Sequence, residues 1–534
     1  MNRAYAHFPK AACPATRLVS AAAWLGMAIG VLFVGAASAG EPGGYFGIQV
    51  VDDQTGRGVP LVELETVNHL CWVTDSGGWA AIHEPGLMGQ RVFFFVRSHG
   101  YEFPKDGFGF DGVRLQLAAG QKATIKIKRH NIAERLYRVT GEGIYRDSVL
   151  LGEPTPLAQP LGSGMVAGQD SAFAELYQGK VIWFWGDTSR MSYPLGHFWM
   201  AAAVSELPGQ GGLDPAQGVN LRYFTDQDGF SRPVARLGVE KGLIWADGFL
   251  VLPDETGRER LVCHYAHMES LSKMLDHGLA VFHDEKQEFE RLKTLEMKDG
   301  PLFPGQGHPI RHREGGVDYV YFGEVFPNVR VQADWKHYLD PSSYEAYTCL
   351  DEAADSGQAE LLREPDGKVR YEWRQNTKPV DGNAERKLVD AGRLPAEQTR
   401  FLPVDVDTGK PVLMHRGTVR FNSHRQRWIM IAGQVYGSSM LGEIWYAEAP
   451  EPTGPWRRAK RIVTHDRYSF YNPVHHPFFD QEGGRVIYFE GTYTQTFSGN
   501  PVATPRYDYN QIMYRLDLAD PRLEAVRDSG SGKR

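Results

Sequence analysis

Two aspartates, Asp170 and Asp187, lie at the two ends of a segment that has the pattern of a β-hairpin. Between them, the runs Ser171–Tyr177 and Val181–Trp185 are rich in apolar residues and flank a Gln-Gly turn. Folding at that turn places the two aspartates opposite each other, with Cβ atoms roughly 4.5–5.5 Å apart. Two carboxylates at this spacing can act as proton donor and nucleophile in the cleavage of a glycosidic bond. The alternative is that they are ordinary polar residues at strand ends.

The same pattern of polar opening, central turn and polar close recurs further along the chain. The opening residues are Asp247, His308, Gly417 and Asn472, and the closing residues are His264, Glu324, Gln434 and Glu490. Additional strands are predicted at Trp199–Val204, Gly278–His283, Glu443–Glu448 and Asn510–Leu516. A hairpin with an outer strand, found five times in one chain, predicts a five-bladed β-propeller. The hairpin ends would then converge on one mouth of the central channel.

The region before these hairpins has a different pattern. Short alternating runs between Phe46 and Ile127, separated by turn signals, predict a small β-sandwich. The fold class is therefore all-β, a small N-terminal sandwich followed by the propeller, and the abundant glycine and proline agree with it. One helix is predicted, over Asn383–Arg393. We divide the chain into a signal peptide (1–39), the sandwich (40–130), a linker (131–161), the propeller (162–521, with an insertion at about 330–410) and a disordered tail (522–534).

The N-terminus has the features of an export signal. Arg3, Lys10 and Arg17 precede the apolar stretch Leu18–Val34, and an Ala-Ser-Ala cleavage signal ends at residue 39. A membrane anchor is the alternative, but the stretch is short for a span, which needs about 20 apolar residues. We therefore predict an exported protein, periplasmic or extracellular, with no membrane span after cleavage. The net charge of −7 and the lack of a basic run argue against nucleic acid as a partner.

Several stretches resemble known families. GQDSAF and VIWFWGDTSR, on either side of the first turn, resemble bacterial endo-D-arabinanase-type propellers, a group of the five-bladed arabinanase, levansucrase and invertase-type glycoside hydrolases. GEIWYAEAPEPTGPW and NPVHHPFF resemble other blades of such propellers. In the N-terminal region, VVDDQTGRGVPLVELETV, TDSGGWAAI and VRSHGYEF resemble transthyretin-like or carboxypeptidase-regulatory-like sandwiches. That second resemblance implies a spacer or stabilising module, with carbohydrate binding as the alternative.

The resemblance to glycoside hydrolases implies roles for four acids. It makes Asp170 and Asp187 the catalytic pair and matches Asp247 to a blade-two acid that tunes pKa values in the arabinanase and invertase group. That group takes its general acid from a glutamate on blade three. Here His308 opens blade three and its acid, Glu324, lies on the closing strand, so Glu324 is the reserve acid. The predicted spacing of the aspartates favours retention, because inversion needs roughly 6.5–9.5 Å.

Further side chains at the predicted mouth could contact a sugar through hydrogen bonds or ring stacking, although each could equally be structural. They are Arg190, Trp185, Trp245, His264, His308, Gln434, Asn472, His475, Glu490 and Tyr493. Adjacent histidines such as His475 and His476 point to opposite faces of a strand, so we predict neither a catalytic metal nor a cofactor. A structural calcium or sodium ion remains an alternative. The sequence thus predicts a secreted glycoside hydrolase that acts on an oligosaccharide or polysaccharide, and furanosides such as arabinan are among the candidate substrates. The alternatives are a non-catalytic glycan-binding propeller and a polysaccharide lyase.

Overall fold

The computed structural model describes residues 44–270, 272–297, 307–351 and 359–527. The predicted signal peptide and residues 528–534 of the predicted tail lie outside these ranges. Within them, no helix is long and apolar enough to cross a membrane. All of the described residues belong to one compact unit.

The N-terminal region forms two four-stranded sheets that share one hydrophobic core. Its strands are β1 (Phe46–Asp52), β2 (Glu63–Thr66), β3 (Cys71–Val73), β4 (Trp79–Ile82), β5 (Arg91–Arg97), β6 (Tyr101–Glu102), β7 (Gly112–Gln116) and β8 (Lys122–Arg129). The strand orders are β4-β1-β8-β6 and β3-β2-β5-β7. Ile48 and Val50 of the first sheet pack with Leu64 and Phe94 of the second. Alternating buried and exposed residues along β5 show why this sequence forms a half-buried strand.

The next elements build the first blade and part of the last. They are β9 (Glu134–Arg138), α1 (Arg146–Leu150), β10 (Val166–Gln169), β11 (Ala172–Tyr177), β12 (Lys180–Trp185), β13 (Thr188–Arg190), β14 (Tyr193–His197), β15 (Ala201–Ser205) and β16 (Arg222–Tyr223). Blade 1 has the order β11-β12-β15-β16, and its hairpin continues outwards into a small sheet, β10-β13-β14.

The other blades follow in chain order. Blade 2 comprises β17 (Leu243–Pro253), β18 (Glu259–Ser270), β19 (Lys273–His283) and β20 (Glu288–Leu295); blade 3 comprises β21 (Ile310–Glu314), β22 (Val317–Phe322), β23 (Val329–Gln332), β24 (Glu345–Thr348) and β25 (Glu372–Arg374). Blade 4 comprises β26 (Val404–Asp405), β27 (Met414–Asn422), β28 (Arg427–Gln434), β29 (Glu443–Ala449) and β30 (Arg458–Thr464); blade 5 comprises β31 (Ser469–His475), β32 (Val486–Thr494), β33 (Asn510–Asp517) and β9. Two further helices are α2 (Trp335–Tyr338) and α3 (Gly382–Asp390).

Hydrophobic clusters between neighbouring blades close these sheets into a ring. Separate clusters join blades 1 and 2, 2 and 3, 3 and 4, and 4 and 5. The cluster that completes the circle packs Val181 and Trp183 of blade 1 against Tyr488 and Met513 of blade 5. The predicted all-β fold, a sandwich followed by a five-bladed propeller, is confirmed.

Two predicted segments, the linker and the tail, differ from the structure. The linker at 131–161 contains β9, which pairs antiparallel with β33 and completes blade 5, so it is not merely a connector. The insertion at about 330–410 supplies outer strands of blades 3 and 4. The predicted helix is present as α3, where the Asp381 side chain accepts from the backbone N–H of Ala384. Residues 521–526 form a 3-10 helix with two buried apolar side chains instead of a disordered tail.

Candidate active site

The innermost strands of four blades are irregular near the same end of the channel. The pairing breaks between β10 and β11 at Asp170, and β17 has a register shift directly after Asp247. Shifts also occur in β27 at Arg416 and in β31 at Asn472. Bulges of this kind turn a side chain out of its regular direction and are frequent beside active sites. They explain how residues of a regular sheet can face one opening.

Hydrogen bonds between blades show that these irregular positions meet. Asn472 Nδ2 donates to Ser171 Oγ at 2.6 Å, which joins blades 5 and 1. The backbone N–H of Gly307, which precedes blade 3, donates to Asp247 Oδ1 of blade 2 at 2.8 Å. Ser171 and Asn472 both have positive φ, at 45° and 49°, which is uncommon for residues other than glycine. Strained backbone at these two positions therefore lies where blades 5 and 1 meet, and such strain is common at functional sites.

Asp170 and Asp187 are opposite each other, as the sequence predicts. The N–H of Asp170 donates to the carbonyl of Asp187 at 3.1 Å, and the N–H of Gly186 donates to the carbonyl of Asp170 at 2.8 Å. Both aspartates are half-buried. The Asp170 carboxylate accepts from Ser171 Oγ at 2.6 Å and from the Tyr509 hydroxyl at 3.2 Å. Asp170 therefore has two hydroxyl partners, one from its own blade and one from blade 5.

Asp187 has a different environment from Asp170. Burial raises the pKa of Asp187 to about 6, and the charge of Asp170 adds to this effect, while a hydrogen bond from Trp245 acts against it. Among the described residues, its Oδ1 atom is buried without a hydrogen-bond partner. Two neighbouring carboxyls in unlike surroundings are the condition for one to remain ionised while the other carries a proton.

Asp247 and Glu324 are joined by Arg416, a residue that the sequence analysis missed. Arg416 Nη1 lies 3.1 Å from Asp247 Oδ2, and its Nη2 lies 3.5 Å from Glu324 Oε1. Burial raises the pKa of Asp247, although Arg416 and two backbone N–H groups oppose this shift. The Glu324 side chain is 54% exposed. The charge of Asp170 also helps to raise the pKa of Arg416, and it acts on Asp187 as well. The four predicted acids are therefore linked by electrostatic interactions.

Other predicted residues lie near the pocket or inside the channel. Trp245 reaches Asp187, and Asn472 holds Ser171. The His308 ring packs against Phe173 at 5.1 Å inside the channel, where burial lowers its pKa well below the usual range. His308 is therefore neutral and differs from the open hydrogen-bonding residue that the sequence suggested.

Seven predicted contacts need correction, five of them because the side chains are buried. Trp185 is 0% exposed and stacks on Trp183. His264 packs between the rings of Phe322 and Tyr338. His264 and Glu490 both lie on the second strand of their blade, and each is 0% exposed. Glu490, on the second strand of blade 5, is accordingly buried with His476 at 2.8 Å.

The remaining corrections concern residues with other partners. Buried His475 hydrogen-bonds Asp480 at 2.7 Å, and the hydroxyl of buried Tyr493 pairs with Thr504 at 2.9 Å. Gln434 accepts from the Trp445 indole at 2.8 Å. Arg190 pairs with Asp228 at 2.5 Å, on the outer sheet of blade 1, and not with any of the four candidate acids. The position of Arg190 in a strand does not determine which carboxylate its long side chain contacts.

Two tyrosines and a phenylalanine beside Asp170 were also missed. The hydroxyls of Tyr471 and Tyr509 both interact with Asp170, and burial raises their pKa values well above the usual range. The ring of Phe497, whose side chain is 56% exposed, lies 6.0 Å from the ring of Tyr471. Tyr471 directly precedes predicted Asn472, which is the only signal that the sequence offered. In the part of the chain that the structure describes, no three His, Cys, Asp or Glu residues form a metal-binding group.

Comparisons with known proteins give only distant likenesses. No family model matches the chain, and no curated protein matches its sequence. An exo-1,5-α-L-arabinanase from a bovine ruminal metagenomic library is 11% identical, with a TM-score of 0.33 over 66% of this chain and 93% of its own. An exo-β-1,3-galactanase from Phanerochaete chrysosporium is 9% identical, with a TM-score of 0.34 over 72% and 65%.

A third likeness is to a protein named for a different reaction. An N-acetylgalactosamine deacetylase from F. plautii is 9% identical, with a TM-score of 0.35 over 76% of this chain and 100% of its own. Each of these solved structures is named for an activity on a carbohydrate. At such identities and TM-scores the likenesses carry no argument about activity, and the chemistry of the site must supply it.

Proposed function

We propose that the protein is an exported glycoside hydrolase that uses Asp170 and Asp187 as its catalytic pair. The observation that supports this most is the opposed backbone placement of the two residues together with the raised pKa of Asp187, about 6, to which the charge of Asp170 contributes. Asp170, whose carboxylate is held by two hydroxyls, is placed to act as the nucleophile. Asp187, whose burial favours the protonated form, is suited to be the acid and then the base.

In this mechanism, the Asp187 proton passes to the glycosidic oxygen as the bond to the leaving sugar breaks. An Asp170 oxygen forms a bond to the anomeric carbon and gives a covalent glycosyl-enzyme. Asp187, now ionised, then removes a proton from water, which attacks the same carbon and releases Asp170. Directly opposed residues have Cβ atoms roughly 4.5–5.5 Å apart, and this favours retention over inversion.

Arg416 and its two acidic partners, Asp247 and Glu324, are proposed to position the sugar in this pocket. Asp247 can accept from sugar hydroxyls, and Arg416 can donate to them while it neutralises Asp247. Phe497 offers an exposed ring face beside Tyr471, suitable for stacking on a neighbouring sugar unit. Glu324, exposed at the same mouth, is the second candidate for the proton donor.

Hydrolysis is favoured over elimination by the state of the two tyrosines. A lyase needs a tyrosine or histidine that removes a proton, whereas burial and the nearby Asp170 charge raise the pKa values of both Tyr471 and Tyr509. Neither hydroxyl is therefore a ready base at neutral pH. A glycan-binding protein would not need one of two opposed residues to have a raised pKa, so binding alone is the weaker candidate.

A panel of plant, algal and mycobacterial polysaccharides tests the proposal directly. Hydrolysis would release reducing ends without ultraviolet absorbance, whereas elimination would release unsaturated products that absorb. The Asp170→Asn and Asp187→Asn variants serve as the matched inactive controls. If either variant released reducing ends as fast as the unmodified chain does, the assignment would be disproved.

A further inference from the structure

The other mouth of the propeller channel contains a second cavity, of about 560 Å³. Every blade contributes to it, through residues that include Glu175, Val251, Arg311, Arg420 and Phe478. Glu175 lies on β11, the innermost strand of blade 1, whereas Asp170 precedes the start of this strand, so five residues of up to roughly 3.3 Å each separate the two. The cavity is therefore separate from the candidate active site and faces the opposite side of the ring.

Glu175 is the acid of this cavity. Burial raises the pKa of Glu175 to about 7, although the charges of Arg420 and Arg311 act in the opposite direction. Within the described residues, no hydrogen bond or ion pair holds its carboxylate, whereas the other buried acids of the propeller, such as Glu448 and Glu490, are paired. A carboxyl that lines a cavity and has no hydrogen-bond or ion-pair partner there is able to bond to a ligand.

Two arginines of the cavity also have no counter-charge in contact. Arg420 Nη1 donates to the carbonyls of His308 at 3.1 Å and Val419 at 3.0 Å, and Arg311 donates to the carbonyl of Val251. No carboxylate lies within ion-pairing distance of either guanidinium in the described ranges. Since those carbonyls hold only one nitrogen of each guanidinium, the remaining donors can bind an anion.

Aromatic and neutral groups complete the lining. Phe421 is 51% exposed, and Phe478 lines the same cavity. The remaining titratable residue, His475, is already paired with Asp480 at 2.7 Å. Cavities of about 300–1,000 Å³ hold small organic ligands, and apolar ring faces next to charged groups suit a hydroxylated ring.

We propose that the far mouth of the channel binds a sugar acid of the size of a hexuronic acid. Its carboxylate bonds to Arg311 and Arg420, its hydroxyls bond to Glu175, and its ring packs against Phe421 and Phe478. A dianion such as phosphate fits less well, because Glu175 adds repulsion at the same place. The proposal does not depend on hydrolysis at the other mouth.

Calorimetric titration of the full chain with D-glucuronate tests this site, with D-glucose and inorganic phosphate as the comparison ligands. Arg311→Gln keeps a donor for the Val251 carbonyl and removes the charge, and we expect it to weaken glucuronate binding by roughly tenfold or more. Arg313→Gln, two positions further along β21 and exposed like Arg311, is the matched control and should bind as the unmodified chain does. Arg416→Gln tests whether glucuronate binds at the opposite mouth instead.

A second variant keeps the proposal testable if Arg311→Gln is poorly folded. Glu175→Gln removes the repulsion and retains a hydrogen-bonding group, so glucuronate should bind it more tightly at pH 8, where Glu175 of the unmodified chain is largely ionised. The proposal is overturned if glucuronate gives no binding heat, if glucose or phosphate binds as well as glucuronate, or if Arg416→Gln and not Arg311→Gln removes binding. Weaker binding to Glu175→Gln would overturn it as well.

Discussion

Tyr509 donates its hydroxyl to the carboxylate of Asp170 at 3.2 Å, from a loop that follows the second strand of blade 5. Asp170 belongs to blade 1, so the first and last blades of the ring meet at the carboxylate that we propose as the nucleophile. Its partner Asp187 is contacted by Trp245 of blade 2. The unlike environments of the two aspartates therefore depend on closure of the whole ring, and the following predictions test that dependence.

Replacing either catalytic aspartate should remove activity without unfolding the protein. Asp170→Asn and Asp187→Asn should each abolish turnover, because neither amide can form the covalent intermediate or transfer the proton. The pKa of Asp187 is raised, so its ionised form destabilises the fold as pH rises through about 6. Asp187→Asn should consequently be as stable as the unmodified chain at pH 3, below the pKa of 3.8 for an ordinary aspartate, and more stable at pH 8, by up to about 2 kcal/mol. Thermal denaturation at both pH values measures this, and a loss of stability at pH 8 would contradict it.

The pH profile should follow Asp187 and respond to Trp245. Activity needs protonated Asp187, so kcat/KM should fall as pH rises through about 6. The hydrogen bond from Trp245 lowers this pKa, and Trp245→Phe removes it while keeping an aromatic ring. The alkaline limb of kcat/KM should then move to higher pH. Trp72→Phe, in the N-terminal sandwich, is the control. If the alkaline limb of kcat/KM does not move in Trp245→Phe, another group donates the catalytic proton, and Glu324 is the first to test.

Arg416 and Asp247 should act as a coupled pair. Arg416→Gln leaves Asp247 buried without its cation, which should cost about 1–3 kcal/mol of stability and also raise KM. Asp247→Asn in the same chain should recover part of that stability, because the uncompensated charge is gone. A double-mutant cycle measured by chemical denaturation gives the coupling energy. Additive effects of the two changes would show that the 3.1 Å contact contributes little.

Phe497 should matter for long substrates only. Its exposed ring lies beside Tyr471, outside the catalytic pair, so Phe497→Ala should raise KM for a polysaccharide by roughly 2- to 10-fold. Hydrolysis of a small aryl glycoside should be unchanged. Val502→Ala, at another exposed apolar residue of the same loop, is the matched control. Equal losses on long and short substrates would place Phe497 in the catalytic pocket itself.

Local patterns in the sequence predict the parts of this fold that local interactions determine. The Gln178-Gly179 turn, with positive φ at both residues, fixes the register that sets Asp170 opposite Asp187. Arg416 could not be found in this way, because the irregularity between Met414 and Gly417 turns it towards the mouth without any change in the apolar pattern. His264 and Glu490 were misplaced for the converse reason: the period of a strand gives a face, but not whether that face lines a channel or a core.

The pairing of β9 with β33 joins parts of the chain that are far apart, as the ion pair between Glu134 and Arg515, 381 residues apart, shows. Blade 5 therefore cannot be completed until nearly all of the polypeptide has been synthesised. Closing so long a loop is entropically costly and slow. Until then, the earlier blades must persist as an open arc with an unsatisfied strand edge, and a chaperone that shields such edges would have its greatest effect at this last step of assembly.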